Sequence, residues 1–310
     1  MYQEAAQALF TVRDILRFAS SKFSAASLFY GHGTTCPYEE AVYLVLTALS
    51  LSYNQLDACL DARLLPSEIN QLLCYIEERI TKHIPVPYLT KKAWQGDYEF
   101  YVDQRVIIPR SFIHTLLINA VAPWVNPQQI YYALDLCTGS GCLAIHMANL
   151  YQKAKIDAVD ISPDALVVAA INIELYQLKE RIRLIQSNLF SCCKPTFLYD
   201  LIVTNPPYVS PSNMANLPME YRYEPGLALR AEQDGLAIIL TILKKAGDFL
   251  SEKGILLMEV GSNRKELEIR YPLTTWLWLD TPEDAGAVCL LTKTDLSLFA
   301  TIEADNKIIP

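Results

Sequence analysis

The chain has 310 residues, of which 52% are hydrophobic and 19% are charged. This composition is typical of a folded globular protein and excludes a disordered chain. The length is sufficient for two domains, each with its own hydrophobic core. The formal net charge is −8, and neither the first 110 residues nor the remainder has a basic excess. This argues against a general nucleic-acid binder, whose affinity depends on neutralising phosphates.

Membrane, secretion and zinc signals are absent from the sequence. No apolar run reaches the roughly 18 residues that a membrane-spanning helix needs. The N-terminus lacks the basic-then-apolar pattern of a signal peptide. The eight cysteines include no C-x-x-C pair and no zinc-type spacing with histidine. We therefore expect a cytoplasmic protein without bound metal, whose thiols are reduced, including the adjacent Cys192 and Cys193.

Apolar residues recur at helical spacing in the first part of the chain, over residues 5–18, 38–51 and 67–80. We predict a small helical domain over residues 1–83. A hairpin and linker are predicted over residues 84–129. In that hairpin, residues 98–102 are expected to pair with residues 105–108 around Asp103-Gln104.

From about residue 130 the pattern changes to alternating strands and helices. Strands are predicted at 131–137, 155–160, 181–186, 200–204 and 254–260, with helices at 142–151, 163–176 and 235–250. Residues 276–279 and 287–292 are expected to close the sheet as an antiparallel pair. The pattern predicts a doubly wound α/β domain over residues 130–301, followed by a flexible tail at 302–310. Ligands of such domains bind beyond the carboxyl ends of the strands.

A glycine-rich turn follows the first of these strands, from Asp135 to Gly141. Gly139 and Gly141 allow a tight turn and a close approach of the backbone to a ligand. Asp160, at the end of the next strand, can accept hydrogen bonds from ribose hydroxyls. This turn alone does not show whether the ligand is NAD or S-adenosylmethionine. A purely structural turn that binds no ligand is a further alternative. Asp135 favours the methyl donor, because a carboxylate repels pyrophosphate and suits an ammonium group.

The loop Asn205-Pro206-Pro207-Tyr208 follows the fourth strand and projects towards the same edge of the sheet. An amide-type nitrogen is a poor nucleophile, because its lone pair is delocalised into the carbonyl group. If such a nitrogen is to be methylated, its lone pair must point at the methyl group of the donor. The Asn205 side-chain oxygen and the Pro206 carbonyl can accept its two N–H groups. The prolines fix the backbone, and Tyr208 offers a flat wall. The alternative is an ordinary Pro-Pro turn.

These motifs resemble those of the HemK-type protein-(glutamine) methyltransferases, and the resemblance covers nearly the whole chain. It implies a Rossmann-like class I S-adenosylmethionine-dependent methyltransferase domain, preceded by a small helical domain that recognises a protein substrate. The implied cofactor-binding residues are Asp135, Thr138, Gly139, Gly141, Asp160, Asn188 and Asn205. The implied catalytic residues are Asn205, Pro206 and Tyr208, and the same loop with Pro207 and Glu224 is implied to bind substrate.

Residues 30–34, 87–90 and 109–111 are most similar to the PrmB type, which methylates a glutamine of large-subunit ribosomal protein L-three. The expected partner is therefore that ribosomal protein. One position departs from the family, which usually has Ser-Asp-Leu-Phe where this chain has Asn188. The family's aspartate contacts the adenine amino group, and the Asn188 oxygen can still accept that hydrogen bond.

Residues 221–229 resemble the Glu-Pro-x-x-Ala-Leu segment of glutamine methyltransferases, which adenine and cytosine amino-methyltransferases lack. Glu224 in this segment is predicted either to contact substrate or to pair with Arg222. Two other functions remain open on the sequence. One is a nucleic-acid amino-methyltransferase that acts on an exocyclic base nitrogen. The other is a non-catalytic scaffold that aids ribosome assembly, against which the intact loop and glycine turn argue.

Overall fold

The computed structural model describes residues 2–119, 121–192, 197–281 and 285–305. Cys193 and the last five residues of the predicted tail lie outside this part. The first helices are α1 (Tyr2–Ala8), α2 (Val12–Ala25), α3 (Pro37–Ala48), α4 (Leu56–Cys59), α5 (Pro66–Lys82) and α6 (Val86–Thr90). Helices α1, α2, α3 and α5 enclose an apolar core that includes Ile15, Phe23, Leu44, Leu72 and Ile76.

The predicted single helix over residues 5–18 is wrong, because the chain forms two helices there. Thr11 caps the start of α2. Its hydroxyl accepts the Asp14 N–H at 3.2 Å, and the Asp14 carboxylate accepts the Thr11 N–H at 3.0 Å. This reciprocal capping box requires extended backbone at Thr11, which interrupts the apolar spacing.

The predicted hairpin is also wrong in its partner strand, because residues 98–101 pair with the segment before them. Strand β1 (Lys92–Gln95) pairs antiparallel with β2 (Tyr98–Tyr101). Gly96 adopts a φ of +58° and supplies the left-handed residue of the tight turn between them. The turn predicted at Asp103-Gln104 contains instead a local ion pair, in which Arg105 Nε lies 2.9 Å from Asp103 Oδ1. Residues 105–108 form no strand.

A seven-stranded sheet follows. Its strands are β3 (Tyr132–Leu136), β4 (Lys155–Asp160), β5 (Ile182–Gln186), β6 (Tyr199–Thr204), β7 (Leu250–Glu259), β8 (Leu277–Asp280) and β9 (Ala285–Thr292). Their order is β5-β4-β3-β6-β7-β9-β8, and β9 runs antiparallel to both of its neighbours, β7 and β8. The predicted Rossmann-like α/β architecture and its antiparallel closing pair are confirmed.

The remaining helices are α7 (Ile113–Asn119), α8 (Cys142–Leu150), α9 (Pro163–Leu175), α10 (Pro211–Met214), α11 (Gly226–Leu229), α12 (Ala237–Phe249), α13 (Arg264–Arg270) and α14 (Lys293–Asp305). Helix α14 extends past residue 302, where the tail was predicted to begin. No helix in the described ranges is both long and apolar enough to cross a membrane.

Both faces of the sheet are covered by helices. Ala133 of β3 belongs to the apolar cluster that contains Leu143 and Met147 of α8. Its neighbour Leu134 belongs to the opposite cluster, with Ile239 of α12. Because side chains alternate along a strand, burial on both faces requires the nearly continuous apolar sequence observed here. The sheet order reverses between β3 and β6, so the carboxyl ends of β3, β4 and β6 frame a crevice.

Candidate active site

The glycine turn between β3 and α8 has the conformation that its sequence predicts. Gly139 and Gly141 adopt φ values of +55° and +81°. A Cβ on Gly141 would lie 3.2 Å from the Ala169 Cβ of α9, so this position requires glycine for close packing. A Cβ on Gly139 would meet nothing within 4 Å, because Gly139 opens on a cavity.

Asp160 connects the end of β4 to this turn. Its Oδ2 accepts the Gly139 N–H and its Oδ1 accepts the Ser162 N–H, each at 2.9 Å. Burial raises the pKa of Asp160, whereas these backbone hydrogen bonds favour the carboxylate. Asp160 lines the cavity, where its remaining lone pairs can accept hydroxyl groups.

Asp135 lies in the interior of the turn and is only 1% exposed. Its Oδ2 accepts the Thr138 hydroxyl at 2.6 Å and the Ala144 N–H at 3.1 Å. Its Oδ1 has no hydrogen-bond partner among the described residues. Burial raises the pKa of Asp135 to about 7. A buried carboxylate oxygen without a partner fits a cationic ligand group, which would compensate for its lost hydration.

The first cavity lies beyond the carboxyl ends of β3, β4 and β6. Of the predicted residues, Gly139, Asp160, Asn188, Asn205 and Pro207 line it. Apolar side chains complete its walls, namely Val106, Ile107, Val159, Ile161, Leu189 and Ile238. The cavity therefore combines apolar walls with a few polar groups, as small-molecule sites commonly do.

A second cavity adjoins the first. Arg110, Pro206, Tyr208, Val209 and Tyr221 are among its lining residues. Asn205 lines both cavities, as do Ile107 and Ala228. The Asn205 side chain therefore stands where a ligand in one cavity can meet a ligand in the other.

Tyr208 is held from several sides. Its hydroxyl donates to Glu259 Oε1 at 3.1 Å, and its carbonyl accepts Asn263 Nδ2 at 3.1 Å. A Cβ on Gly261 would lie 2.5 Å from the Tyr208 ring, so only glycine permits this packing. Glu259 Oε2 also accepts the Ser111 hydroxyl at 2.7 Å. Burial raises the pKa of Glu259.

Glu224 does not pair with Arg222, which is exposed. The Glu224 side chain is fully buried and accepts Arg110 Nη2 at 2.7 Å and the Ile108 N–H at 3.0 Å. The prediction of a direct substrate contact by Glu224 is therefore corrected. Arg110, and not Glu224, reaches the second cavity.

Sequence reasoning missed Arg110 and Glu259 as site residues. In the sequence, Arg110 is only one residue of a Pro-Arg-Ser segment that resembles the family. Its partner Glu224 lies 114 positions away along the chain. Glu259 had one usable signal, since it is an acidic residue at the end of an apolar strand on the ligand edge of the sheet. Thr138 and Asp135 are both buried within the turn and do not line the first cavity.

The sequence profile of the methyltransferase small domain matches residues 116–219. A Neisseria gonorrhoeae protein named ribosomal protein uL3 glutamine methyltransferase is 52% identical over 96% of this chain and 99% of its own length. The chain belongs to the uL3 glutamine methyltransferase family. Family proteins of the same name in Neisseria meningitidis and Bordetella pertussis are 53% and 47% identical, over 97% and 98% of their lengths. The resemblance to protein-glutamine methyltransferases is thereby confirmed, and the protein is a methyltransferase.

Proposed function

We propose that this protein transfers a methyl group from S-adenosylmethionine to the side-chain amide nitrogen of a glutamine in ribosomal protein uL3, giving N5-methylglutamine. The observation that supports the proposal most strongly is the position of Asn205, between two cavities, in a chain of the uL3 glutamine methyltransferase family. The reaction requires a methyl donor in one cavity and an amide in the other.

The residues of the first cavity and of its turn fit S-adenosylmethionine. Asp160 would accept the ribose hydroxyls, and the unpartnered Asp135 Oδ1 would accept the ammonium group. Asn188 would accept the adenine amino group through its side-chain oxygen. Thr138, Gly139 and Gly141 shape the turn. When bound, the cofactor supplies an electrophilic methyl group on a positively charged sulfur.

The residues of the loop after β6 would orient the glutamine amide in the second cavity. The Asn205 side-chain oxygen and the Pro206 carbonyl accept its two N–H groups, which directs the nitrogen lone pair into the first cavity. Neither Pro206 nor Pro207 has an N–H that would compete for these acceptors. Tyr208 packs against the planar amide. Positioning of this kind can lower a barrier by about 7–11 kcal/mol in the best cases.

No strong general base is required in this scheme. The nitrogen acquires a positive charge as it is methylated, and a proton on such a nitrogen is strongly acidic. The Asn205 oxygen and the Pro206 carbonyl can hold this proton in hydrogen bonds until it passes to solvent.

The helical part of the chain is proposed to recognise the protein substrate. Tyr221 of the second cavity packs against Phe29 and His32, with ring centroids 5.8 and 4.7 Å apart. Residues of the helical part therefore support a side chain that lines the proposed substrate site. We propose that residues 1–83 form this domain, residues 84–129 link it to residues 130–301, and the enzyme acts in the cytoplasm.

Labelled S-adenosylmethionine tests the proposal. The enzyme is incubated with unmethylated uL3 or with ribosomal RNA, and the label in each is counted. We expect label in uL3 alone, in agreement with the net charge of −8 and the Glu-Pro segment around Glu224. Label in RNA would support a nucleic-acid amino-methyltransferase. Label in neither, with normal cofactor binding, would favour the scaffold function.

A further inference from the structure

Arg110 is a cation on the wall of the proposed substrate cavity, and the buried carboxylate of Glu224 is its counter-ion. The Arg110 side chain is 23% exposed, whereas that of Glu224 is 0% exposed. The two form a bidentate pair, in which Arg110 Nη1 and Nη2 donate to the two carboxylate oxygens. A ligand in the cavity therefore meets the guanidinium while the compensating anion lies behind it.

The surroundings fix this pair in its charged form. Burial alone would raise the pKa of Glu224, but the positive charge of Arg110, the nearby His32 ring and the hydrogen bonds of Arg110 hold it at about 2. The His32 Nε2 lies 3.7 Å from Glu224 Oε1. The Ile108 N–H donates a further hydrogen bond to Glu224 at 3.0 Å. On its other side, the Arg110 guanidinium lies 5.3 Å from the centroid of the Tyr221 ring, which also lines the cavity.

Glutamine and glutamate differ little in shape, so a cavity wall cannot separate them by size. They differ in charge and in hydrogen-bond donors. An Arg110 without a counter-charge would attract a carboxylate strongly, because both groups would lie at least partly shielded from solvent. The neighbouring Glu259 receives its hydrogen bonds from Ser111, Phe112 and Tyr208, whereas Arg110 donates to Glu224. The carboxylate of Glu224 therefore decides whether the cavity attracts an anion.

We infer that Glu224 is a specificity-determining positioning residue, which neutralises Arg110 so that the cavity selects the amide of glutamine over the carboxylate of glutamate. The inference rests on the proposed function and adds the basis of its substrate selectivity. It also gives a role to a carboxylate that touches neither cavity. Arg110 retains its position and its hydrogen-bonding capacity, while its long-range attraction for anions is cancelled.

Competition experiments test this inference with the full-length enzyme. Mass spectrometry first locates the glutamine that the wild-type enzyme methylates in uL3. The probe is uL3 with that glutamine replaced by glutamate, used as an inhibitor of methylation of normal uL3. The measured quantity is the inhibition constant of the probe divided by the KM of normal uL3. If the wild-type enzyme does not methylate uL3 at all, the proposed function fails, and not this inference alone.

In Glu224→Gln we expect this ratio to fall roughly tenfold or more, because the cavity gains one unit of positive charge. The matched control is Glu220→Gln. Glu220 is also a buried carboxylate paired with an arginine, Arg79 at 2.9 Å, but it lines neither cavity. The ratio should stay at its wild-type value in this control. An unchanged ratio in Glu224→Gln, or an equal fall in Glu220→Gln, would overturn the inference.

A double variant keeps the test valid if Glu224→Gln does not fold. Arg110→Gln combined with Glu224→Gln replaces both members of the buried pair by neutral amides, which proteins often tolerate. The probe is again uL3 with glutamate in place of the glutamine. Because this variant has neither the cation nor its counter-charge, we expect the ratio to stay within about twofold of the wild-type value. A tenfold fall of the ratio in the double variant would contradict the inference, because Glu224 would then act without Arg110.

Discussion

The Tyr208 hydroxyl donates a hydrogen bond of 3.1 Å to Glu259 Oε1, which joins the loop after β6 to the end of β7. The same carboxylate accepts the Ser111 hydroxyl and the Phe112 N–H through Oε2. This buried acid therefore receives three donors from two segments, each of which contributes a residue to the wall of the second cavity. Its function in the proposed mechanism is to fix the Tyr208 ring against the amide.

Glu259→Gln should weaken this support, because an amide supplies one acceptor where the carboxylate supplies two. We expect kcat to fall about tenfold, which corresponds to one hydrogen bond to a charged group. The dissociation constant of S-adenosylmethionine, measured by calorimetry, should stay within about twofold. Tyr208→Phe removes the donor of the hydrogen bond between Tyr208 and Glu259. The double variant should therefore be little worse than either single variant, and additive losses would show that the two residues act separately.

Gly261→Ala should displace the Tyr208 ring. The new Cβ would lie 2.5 Å from Tyr208 Cε2, and the φ of +53° at this position disfavours alanine. We expect a loss of kcat of more than about tenfold. Gly247→Ala in α12 is the control, because its Cβ would make only an ordinary contact with Leu296. That variant should keep full activity and gain up to about 1 kcal/mol of unfolding free energy. Full activity of Gly261→Ala would contradict the positioning of Tyr208 by this packing.

At pH 8, Asp135→Asn should increase the stability of the ligand-free protein and weaken its binding of the cofactor. Burial raises the pKa of Asp135 to about 7, so the folded protein retains a proton that the unfolded chain loses near pH 4. This group's contribution to stability is therefore complete below pH 4 and decreases until about pH 7. At pH 8, urea unfolding should show the ligand-free variant to be more stable than wild type, by up to about 4 kcal/mol.

Cofactor affinity should change in the opposite direction. The wild-type carboxylate must be ionised to hold an ammonium group, so its affinity for S-adenosylmethionine should rise between pH 6 and pH 8. Asp135→Asn should bind the cofactor more weakly at pH 8 and show no such rise. Equal affinity of the two proteins at pH 8 would remove Asp135 from the cofactor site.

Arg79 links the helical part to the segment before Glu224. It is 1% exposed and donates to Glu40 and Glu220, each at 2.9 Å. Arg79→Met would leave two buried carboxylates without their cation, and we expect a loss of about 3–5 kcal/mol in urea unfolding. Arg13→Met removes the exposed pair with Asp61 and should leave the unfolding midpoint unchanged. Similar midpoints for both variants would contradict the importance of burial.

The sequence was sufficient to predict the sheet, because strands buried on both faces are apolar throughout and alternate with helical spacing. It also predicted the loop from Asn205 to Tyr208 and the glycine turn, whose functions depend on local backbone properties. The partner strand of the hairpin was not predictable in this way. Asp103-Gln104 and Gly96-Asp97 are both turn-forming pairs, and the ion pair of Arg105 with Asp103 becomes evident only in three dimensions.

Long-range pairs account for most of what the sequence did not reveal. Glu224 is two positions from Arg222 along the chain, but in the folded protein it is buried and pairs with Arg110. Glu259 contacts Tyr208 across 51 positions and Ser111 across 148 positions. Such contacts depend on which strand ends meet at the edge of the sheet, and a single sequence does not specify this.

In the proposed reaction, Asn205 presents a uL3 glutamine for methylation. The most direct measurement is tandem mass spectrometry of unmethylated uL3 after incubation with S-adenosylmethionine and either wild type or Asn205→Ala. We predict one added methyl group on a glutamine side chain with the wild-type enzyme. With Asn205→Ala we predict no methylation, although calorimetry should show that this variant still binds the cofactor. A methyl group on any other residue type, or equal methylation by both enzymes, would contradict this proposal.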